Sequence, residues 1–305
     1  MEIKPVSEVT KPTALTIGKF ESLHIGHQKL INAVVNRGNE TELASAALTF
    51  EPNPVRVLKD PAYKTVLTAA EKAAVFDKMG LRLLINMEFS KEAANMPPGE
   101  FMDIVFGRLN CRFLAVGEAF RFGGRRAGDA WTLKREGERR GAEVDVFLNV
   151  TVEGLEISTT RVRDAIGAYD FRTAEKLLGF PYFVSGEVVH GFKLGRTIGF
   201  PTINMFPPED KLLPANGVYL TKTRLGAGYF GGVTNVGVKD MGAGAARCVE
   251  TYLFDFGGDA YGQAAEVDFY VRIRDEIKFG TLDELREQIG KDAERAREML
   301  RNTLL

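Results

Sequence analysis

The chain has 305 residues, which at roughly 150 residues per domain is length enough for two. Forty Lys and Arg stand against 41 Asp and Glu, a formal net charge of −1; that excludes a chain whose main work is gripping a nucleic-acid backbone, which needs a strong basic excess. Apolar residues make up 45% and charged residues 27%, values that exclude wholesale disorder and a membrane-spanning architecture. Cys111 and Cys248 are too few for a disulfide framework or a cysteine zinc site. The stretch from Met1 to Thr13 is polar, with no signal-peptide core. Both features lead to the expectation of a cytoplasmic protein with no membrane partner.

In chain order, Thr13 to Ile17 reads as a short strand ending at Gly18. A helix follows from about His27, with Leu30, Ile31, Val34 and Val35 on one face, and stops at Gly38. Leu43 to Phe50 reads as a buried strand. Thr68 and Glu71 have the spacing of a capping box, opening a helix that ends near Gly80. Leu81 to Met87, Arg112 to Gly117 and Glu143 to Val150 read as strands; Pro98 to Leu109 and Ser158 to Ala168 read as helices. Strands separated by helices of this length imply a parallel sheet with crossovers, an α/β fold.

The rhythm changes at about residues 178–182. Phe183–His190, Gly217–Arg224, Tyr229–Val236, Arg247–Asp255 and Ala265–Ile273 read as five strands separated by Gly and Pro, the pattern of a small antiparallel barrel. A C-terminal helix opens on a Thr281–Glu284 capping box. Its stripe of Leu282, Leu285, Ile289, Ala293, Ala296 and Leu300 is expected to pack on the barrel.

Two constellations carry chemistry. Gly18 to His27 joins the first strand to the first helix, and Gly18 and Gly26 let the backbone approach a ligand. The helix N-terminus behind them favours an anion, most simply a phosphate. Two of the chain's three histidines, His24 and His27, sit here; imidazoles can donate to phosphate oxygens as charge shifts in a transfer reaction. Against this stand a reading as two polar residues at a helix cap and a reading as a two-histidine metal site, for which no third ligand lies nearby. Ser158, Thr159 and Arg161 open a later helix with hydroxyls and a cation suited to polyphosphate, or simply cap it. Phe120 and Phe122 follow a strand and either stack on a flat ring or cover the core.

The second constellation runs from Gly186 to Asn204. Gly191, Gly195 and Gly199 with Lys193 and Arg196 suit a flap over a polyphosphate. Thr202 and Asn204 supply neutral oxygens that point the same way in an extended segment, a donor set suited to Mg2+ when phosphates provide the remaining ligands. A hairpin with turn glycines accounts for the glycines but not for Pro-Thr-x-Asn beside two cations.

The first half resembles the nucleotidyltransferase module of the bacterial bifunctional riboflavin kinase/FMN adenylyltransferase (FAD synthetase) family, whose opening is Gly-Asn-Phe-Asp-Gly-x-His-x-Gly-His. Gly18, Phe20, His24, Gly26 and His27 match it, whereas Lys19, Glu21 and Ser22 depart. The family's Pro-His-Pro stands here as Pro52-Asn53-Pro54, the polar residue before its Phe-x-Phe-Gly as Ala119, and its Ser-Ser/Thr-x-Arg as Ser158-Thr159-Thr160-Arg161. The second half resembles the riboflavin kinase signature through Pro201-Thr202-Ile203-Asn204, Thr234-Asn235-Val236-Gly237, Val249-Glu250 and Arg274-Asp275. There, Lys239-Asp240-Met241 replaces the usual Arg-Pro-Thr.

The resemblance covers roughly residues 13 to 297 of the chain. It implies a Rossmann-like nucleotidyltransferase domain at 1–180 and a riboflavin kinase domain at 181–305. Riboflavin, FMN and ATP would be the substrates, Mg2+ the cofactor, and FMN and FAD the products. In the kinase half it gives Glu250 the role of general base, and Thr202 and Asn204 the holding of Mg·ATP. Gly191, Lys193, Gly195 and Arg196 are expected to bind nucleotide there, and Arg274 the flavin. In the other half, His24, His27 and Arg161 become the groups that stabilise transfer. Gly18, Phe20, Gly26, Ser158 and Thr159 are expected to bind nucleotide, and Asn53, Phe120 and Phe122 the flavin. Glu21, Asn53 and Ala119 motivate an alternative, a kinase whose nucleotidyltransferase half is weakened or repurposed; a further alternative is a flavin or nucleotide sensor that retains the fold without catalysis.

Overall fold

The computed structural model describes residues 1–191, 194–240 and 244–303, with the side chains of 155, 194, 196, 240 and 303 outside the description. It divides into two compact units, Met1–Thr159 and Thr160–Leu305.

The first unit is built on a six-stranded sheet: β1 (Glu2–Pro5), β2 (Thr13–Ile17), β3 (Ala44–Glu51), β4 (Leu83–Glu88), β5 (Cys111–Gly117) and β6 (Glu143–Phe147). Every pairing is parallel and the order is β1-β4-β3-β2-β5-β6. Leu15, Leu48, Ile85, Leu114 and Val116 are buried along the central strands, the near-continuous apolar runs a doubly covered parallel sheet requires. The helices include α1 (Ile25–Glu40), α2 (Pro54–Leu58), α3 (Ala69–Lys78) and α4 (Ala130–Arg139). The Thr68–Glu71 capping box is present in both directions at the start of α3.

Chain order and sheet order place the topological switch between β2 and β5. From β2 the chain winds outward through β3 and β4, then returns past β2 to β5 and β6 on its other side. Ligands of open α/β sheets bind beyond the carboxyl ends of the strands at such a point, and the Gly18–His27 loop leaves β2 there. Strand β1 escapes a sequence reading because it is a four-residue, polar edge strand. The expected helix over Pro98–Leu109 divides: an α-helix over Pro98–Met102 widens into π-type turns over Asp103–Arg108, where the Leu109 N–H reaches back to Ile104 O at 2.9 Å.

Helix α5 (Thr159–Gly167) begins at the last residue of the first unit, and α6 (Phe171–Leu178) follows it in the second unit. Its sheet comprises β7 (Phe183–Glu187), β8 (Thr202–Met205), β9 (Gly217–Leu225), β10 (Gly228–Asp240), β11 (Ala245–Leu253) and β12 (Ala264–Arg274). The order is β7-β12-β9-β10-β11-β8, antiparallel throughout. A bridge from Val189 to Asn204 brings the chain beyond β7 against β8, the opposite edge, so the sheet curls into a half-barrel. Six strands stand where five are expected. The addition is β8, whose four residues behind Pro201 include the polar Thr202 and Asn204 and give too little apolar alternation to read as a strand.

Phe171, Tyr182, Tyr219 and Phe269 form a buried aromatic cluster. The closing helix, α7 (Leu282–Thr303), keeps its capping box, with the Glu284 N–H donating to Thr281 Oγ1 at 3.2 Å and the Thr281 N–H to Glu284 Oε2 at 3.3 Å. Ala293 and Ala296 are buried in the core it shares with Val218, Val233 and Phe254, whereas Leu282, at the first turn, is exposed. A methyl on Gly231 would strike Leu300, so glycine lets α7 lie directly on β10.

Candidate active sites

In the first unit the site is built on a strained loop. Phe20 and Leu23, both buried, hold φ of 48° and 49°. Bulky residues rarely adopt that region, and they persist there only where the surroundings over-determine them. The Phe20 ring lies over Gly18, where a side chain would meet it, and stands roughly perpendicular to the rings of His27 and Phe76. Phe20 is thus a supporting wall beneath the histidines. Gly26 leaves room for the His24 ring, 3.2 Å from where a Cβ would stand.

His24 caps α1, its Nδ1 accepting from the His27 N–H at 3.3 Å. The two imidazoles stack with centroids 3.7 Å apart. Burial pushes His24 down to about 4. Burial, followed by the His24 and Lys19 charges, pushes His27 well below the ordinary imidazole value. Both rings are neutral at pH 7. With Nδ1 of His24 accepting, its proton sits on Nε2, leaving an N–H donor for a ligand. His27 Nδ1 is buried without a partner among the described residues.

The loop is tied to the second motif by a hydrogen bond between Ser22 Oγ and Thr159 Oγ1 at 3.0 Å. Ser158 and Thr159 lie at the start of α5, and Arg161 follows two residues on. Asn53 caps α2 through its Oδ1 and donates from Nδ2 to the buried Glu21 carboxylate at 3.4 Å; Tyr63 donates to the same carboxylate at 3.0 Å. Two departures from the resembled motif therefore meet one another. Phe122 is buried against Phe101, and the half-buried Phe120 packs beside it with centroids 6.0 Å apart, so Phe122 belongs to the core and Phe120 lies at its edge.

The neutral histidines carry a sign for acid stability. The unfolded chain takes up a proton at His24 near 6.5 and the folded one only near 4, so stability rises with pH across that window and is flat above it. The loss on acidification is up to about 3 kcal/mol from His24. His24→Asn keeps a capping acceptor and removes the titration. Its urea midpoint should fall less than the wild type's between about pH 7 and about pH 4.5; equal falls would contradict the assignment.

In the second unit, β8 and β11 place Asn204 opposite Glu250 and Thr202 opposite Tyr252. Thr202 Oγ1 donates to Glu250 Oε1 at 2.7 Å. Lys239, from β10, pairs with Glu250 Oε2 at 2.8 Å and donates to Asn204 Oδ1 at 2.8 Å. Asn204 is buried and Glu250 half-buried. A Cβ on Gly191 would stand 2.5 Å from the Asn204 amide, and one on Gly195 would stand 2.3 Å from the Phe200 carbonyl and 3.5 Å from Thr202 Oγ1. Both glycines let the backbone close over this cluster. Lys193 and the side chain of Arg196 lie outside the described residues.

Arg274 pairs across to the closing helix: its guanidinium donates to both carboxylate oxygens of Asp292 on α7, at 2.6 to 3.1 Å. Sequence reasoning met Lys239 only as the first residue of the Lys239-Asp240-Met241 replacement and did not number it among the catalytic or metal-holding residues; its signal is the cation at the end of the run from Gly231 to Val238. Among the described residues, no group of three or more His, Cys, Asp or Glu is arranged to hold a metal.

Residues 6–161 match the family model described as FAD synthetase, and residues 178–300 the one described as riboflavin kinase. The bifunctional riboflavin kinase/FMN adenylyltransferase of Haemophilus influenzae is 36% identical over 294 residues, 95% of each chain. Its counterpart from Escherichia coli strain K12 is 37% identical over 93% of this chain and 91% of its own. That of Bacillus subtilis is 33% identical over 95% and 93%. A crystal structure of a protein described as a macrolide-efflux protein from Streptococcus pneumoniae superposes with a TM-score of 0.83 at 30% identity, covering 96% of this chain and 97% of that one. Among the described residues no helix is long and apolar enough to cross a membrane.

Proposed function

The chain belongs to the bifunctional riboflavin kinase/FMN adenylyltransferase family, and from that membership we propose how its residues divide the two reactions between residues 1–180 and 181–305. In the second half ATP phosphorylates riboflavin. The primary hydroxyl oxygen of the ribityl chain attacks the γ-phosphorus, its proton passes to Glu250, and the bond to ADP breaks to leave FMN. The observation that carries this reading is the 2.7 Å hydrogen bond from Thr202 to Glu250, with Asn204 directly opposite Glu250. Each carboxylate oxygen retains a lone pair after its present contact, so Glu250 keeps the capacity to accept a proton.

Thr202 Oγ1 and Asn204 Oδ1 are hard, neutral oxygens beside a carboxylate, a donor set that fits Mg2+. Bound there with ATP, the ion would neutralise charge on the transferring phosphate. Gly191 and Gly195 bring main chain to the same spot, which suits a nucleotide phosphate.

In the first half the FMN phosphate attacks the α-phosphorus of ATP, giving FAD and releasing pyrophosphate. His24 and His27 act as neutral donors to the triphosphate, and Arg161 supplies fixed positive charge. Support comes from the loop's place at the sheet's switch point and its tie to Thr159. The buried free thiols Cys111 and Cys248 suit a reducing, cytoplasmic setting.

Incubation with riboflavin, ATP and Mg2+, followed by chromatography, should yield FMN first and FAD after it. FMN alone would confine the activity to the kinase half, and neither product would overturn the reading.

A further inference from the structure

Lys239 lies where cation chemistry is expected of another group. Its ammonium is 2.8 Å from Asn204 Oδ1 and 2.8 Å from Glu250 Oε2, while the other Glu250 oxygen holds Thr202. Three strands meet in this contact: Asn204 on β8, Glu250 on β11 and Lys239 on β10. The side chain is 18% exposed and that of Glu250 27%, so the pair is partly shielded from solvent and screened less by salt than a surface pair. Asn204 Oδ1 is thus occupied by a +1 charge at the position proposed for a +2 ion. An amide oxygen has two lone pairs, but an ammonium and a divalent cation sharing one oxygen repel strongly.

We propose that Lys239 is the resident counter-cation of the kinase site: it holds Asn204 and Glu250 together until a magnesium nucleotide arrives, then gives up Asn204 and stays on Glu250 as the residue that positions the base. This rests on the reading of Thr202, Asn204 and Glu250 as the kinase site. The exchange raises the Mg2+ concentration needed for nucleotide binding, because the ion must displace Lys239 from Asn204. In return, Glu250 keeps a fixed orientation throughout. Removing the charge therefore acts in opposite directions on two quantities: Mg2+ engagement improves and the chemical step worsens. A residue that merely supported the fold would weaken both.

The test is calorimetric titration of ADP at a series of Mg2+ concentrations, with wild type, Lys239→Met and Lys239→Arg, alongside kcat and KM for riboflavin phosphorylation. Lys239→Met should lower the half-saturating Mg2+ concentration about fivefold or more. It should also cut kcat about tenfold or more with little change in the riboflavin KM, and Lys239→Arg should restore both toward wild type. A half-saturating Mg2+ concentration that is unchanged or raised in Lys239→Met overturns the proposal while leaving the kinase reading intact. Absence of Mg2+-dependent ADP binding in the wild type overturns that reading and the proposal with it. Should Lys239→Met fail to fold by circular dichroism, Lys239→Gln, which retains hydrogen bonding without charge, carries the same comparison.

Discussion

Glu250→Gln should reduce FMN formation by about 10²-fold or more while leaving AMP transfer to supplied FMN at the wild-type rate. Glutamine keeps the shape of the side chain and one oxygen to accept from Thr202 Oγ1, the contact seen at 2.7 Å. It cannot take up the hydroxyl proton. The expected defect therefore lies in kcat, with the riboflavin KM little changed, as for an interaction made only in the transition state. A rate within a fewfold of wild type would remove Glu250 from the role of base. Equal loss of both activities would make it structural.

His27→Ala should lower FAD formation by about 10²-fold, the scale of losing one preorganised donor to developing charge, with riboflavin phosphorylation retained. The imidazole stacks on His24 and lies roughly perpendicular to the Phe20 ring, which covers Gly18. Because burial keeps the ring uncharged at neutral pH, the loss is that of a hydrogen-bond donor rather than of a fixed cation. His27→Asn, which restores an N–H but not the ring, should recover part of the rate. No recovery, with ATP binding also lost, would mean that the ring serves only to support the loop.

Much of this architecture is legible in the residues themselves. The buried strands announce themselves as apolar runs, and both capping boxes stand where Thr68–Glu71 and Thr281–Glu284 place them. Strand β1 and strand β8 are not legible, because four residues carry too little periodicity and tertiary pairing decides their state. Leu282 fits the apolar stripe of α7 yet is exposed at its first turn, while Ala293 and Ala296 further along are buried.

The motif residues divide similarly. Sequence spacing puts Thr202 and Asn204 on one side of an extended segment, and both reach the Glu250 cluster. Spacing cannot tell which aromatic covers a ligand and which covers the core: Phe20 and Phe122 are buried. Nor can it foresee that Arg274 pairs with Asp292, or that Lys239 joins Asn204 to Glu250, because neither contact follows from helix or strand periodicity.

The two variants together give the most direct test of one chain carrying two separable sites. Glu250→Gln and His27→Ala proteins, each nearly unable to convert riboflavin to FAD, are mixed with riboflavin, ATP and Mg2+, and FAD is followed by chromatography. The account predicts that the mixture makes FAD, the His27→Ala protein supplying FMN and the Glu250→Gln protein adenylylating it. A mixture as inactive as either variant alone would contradict it.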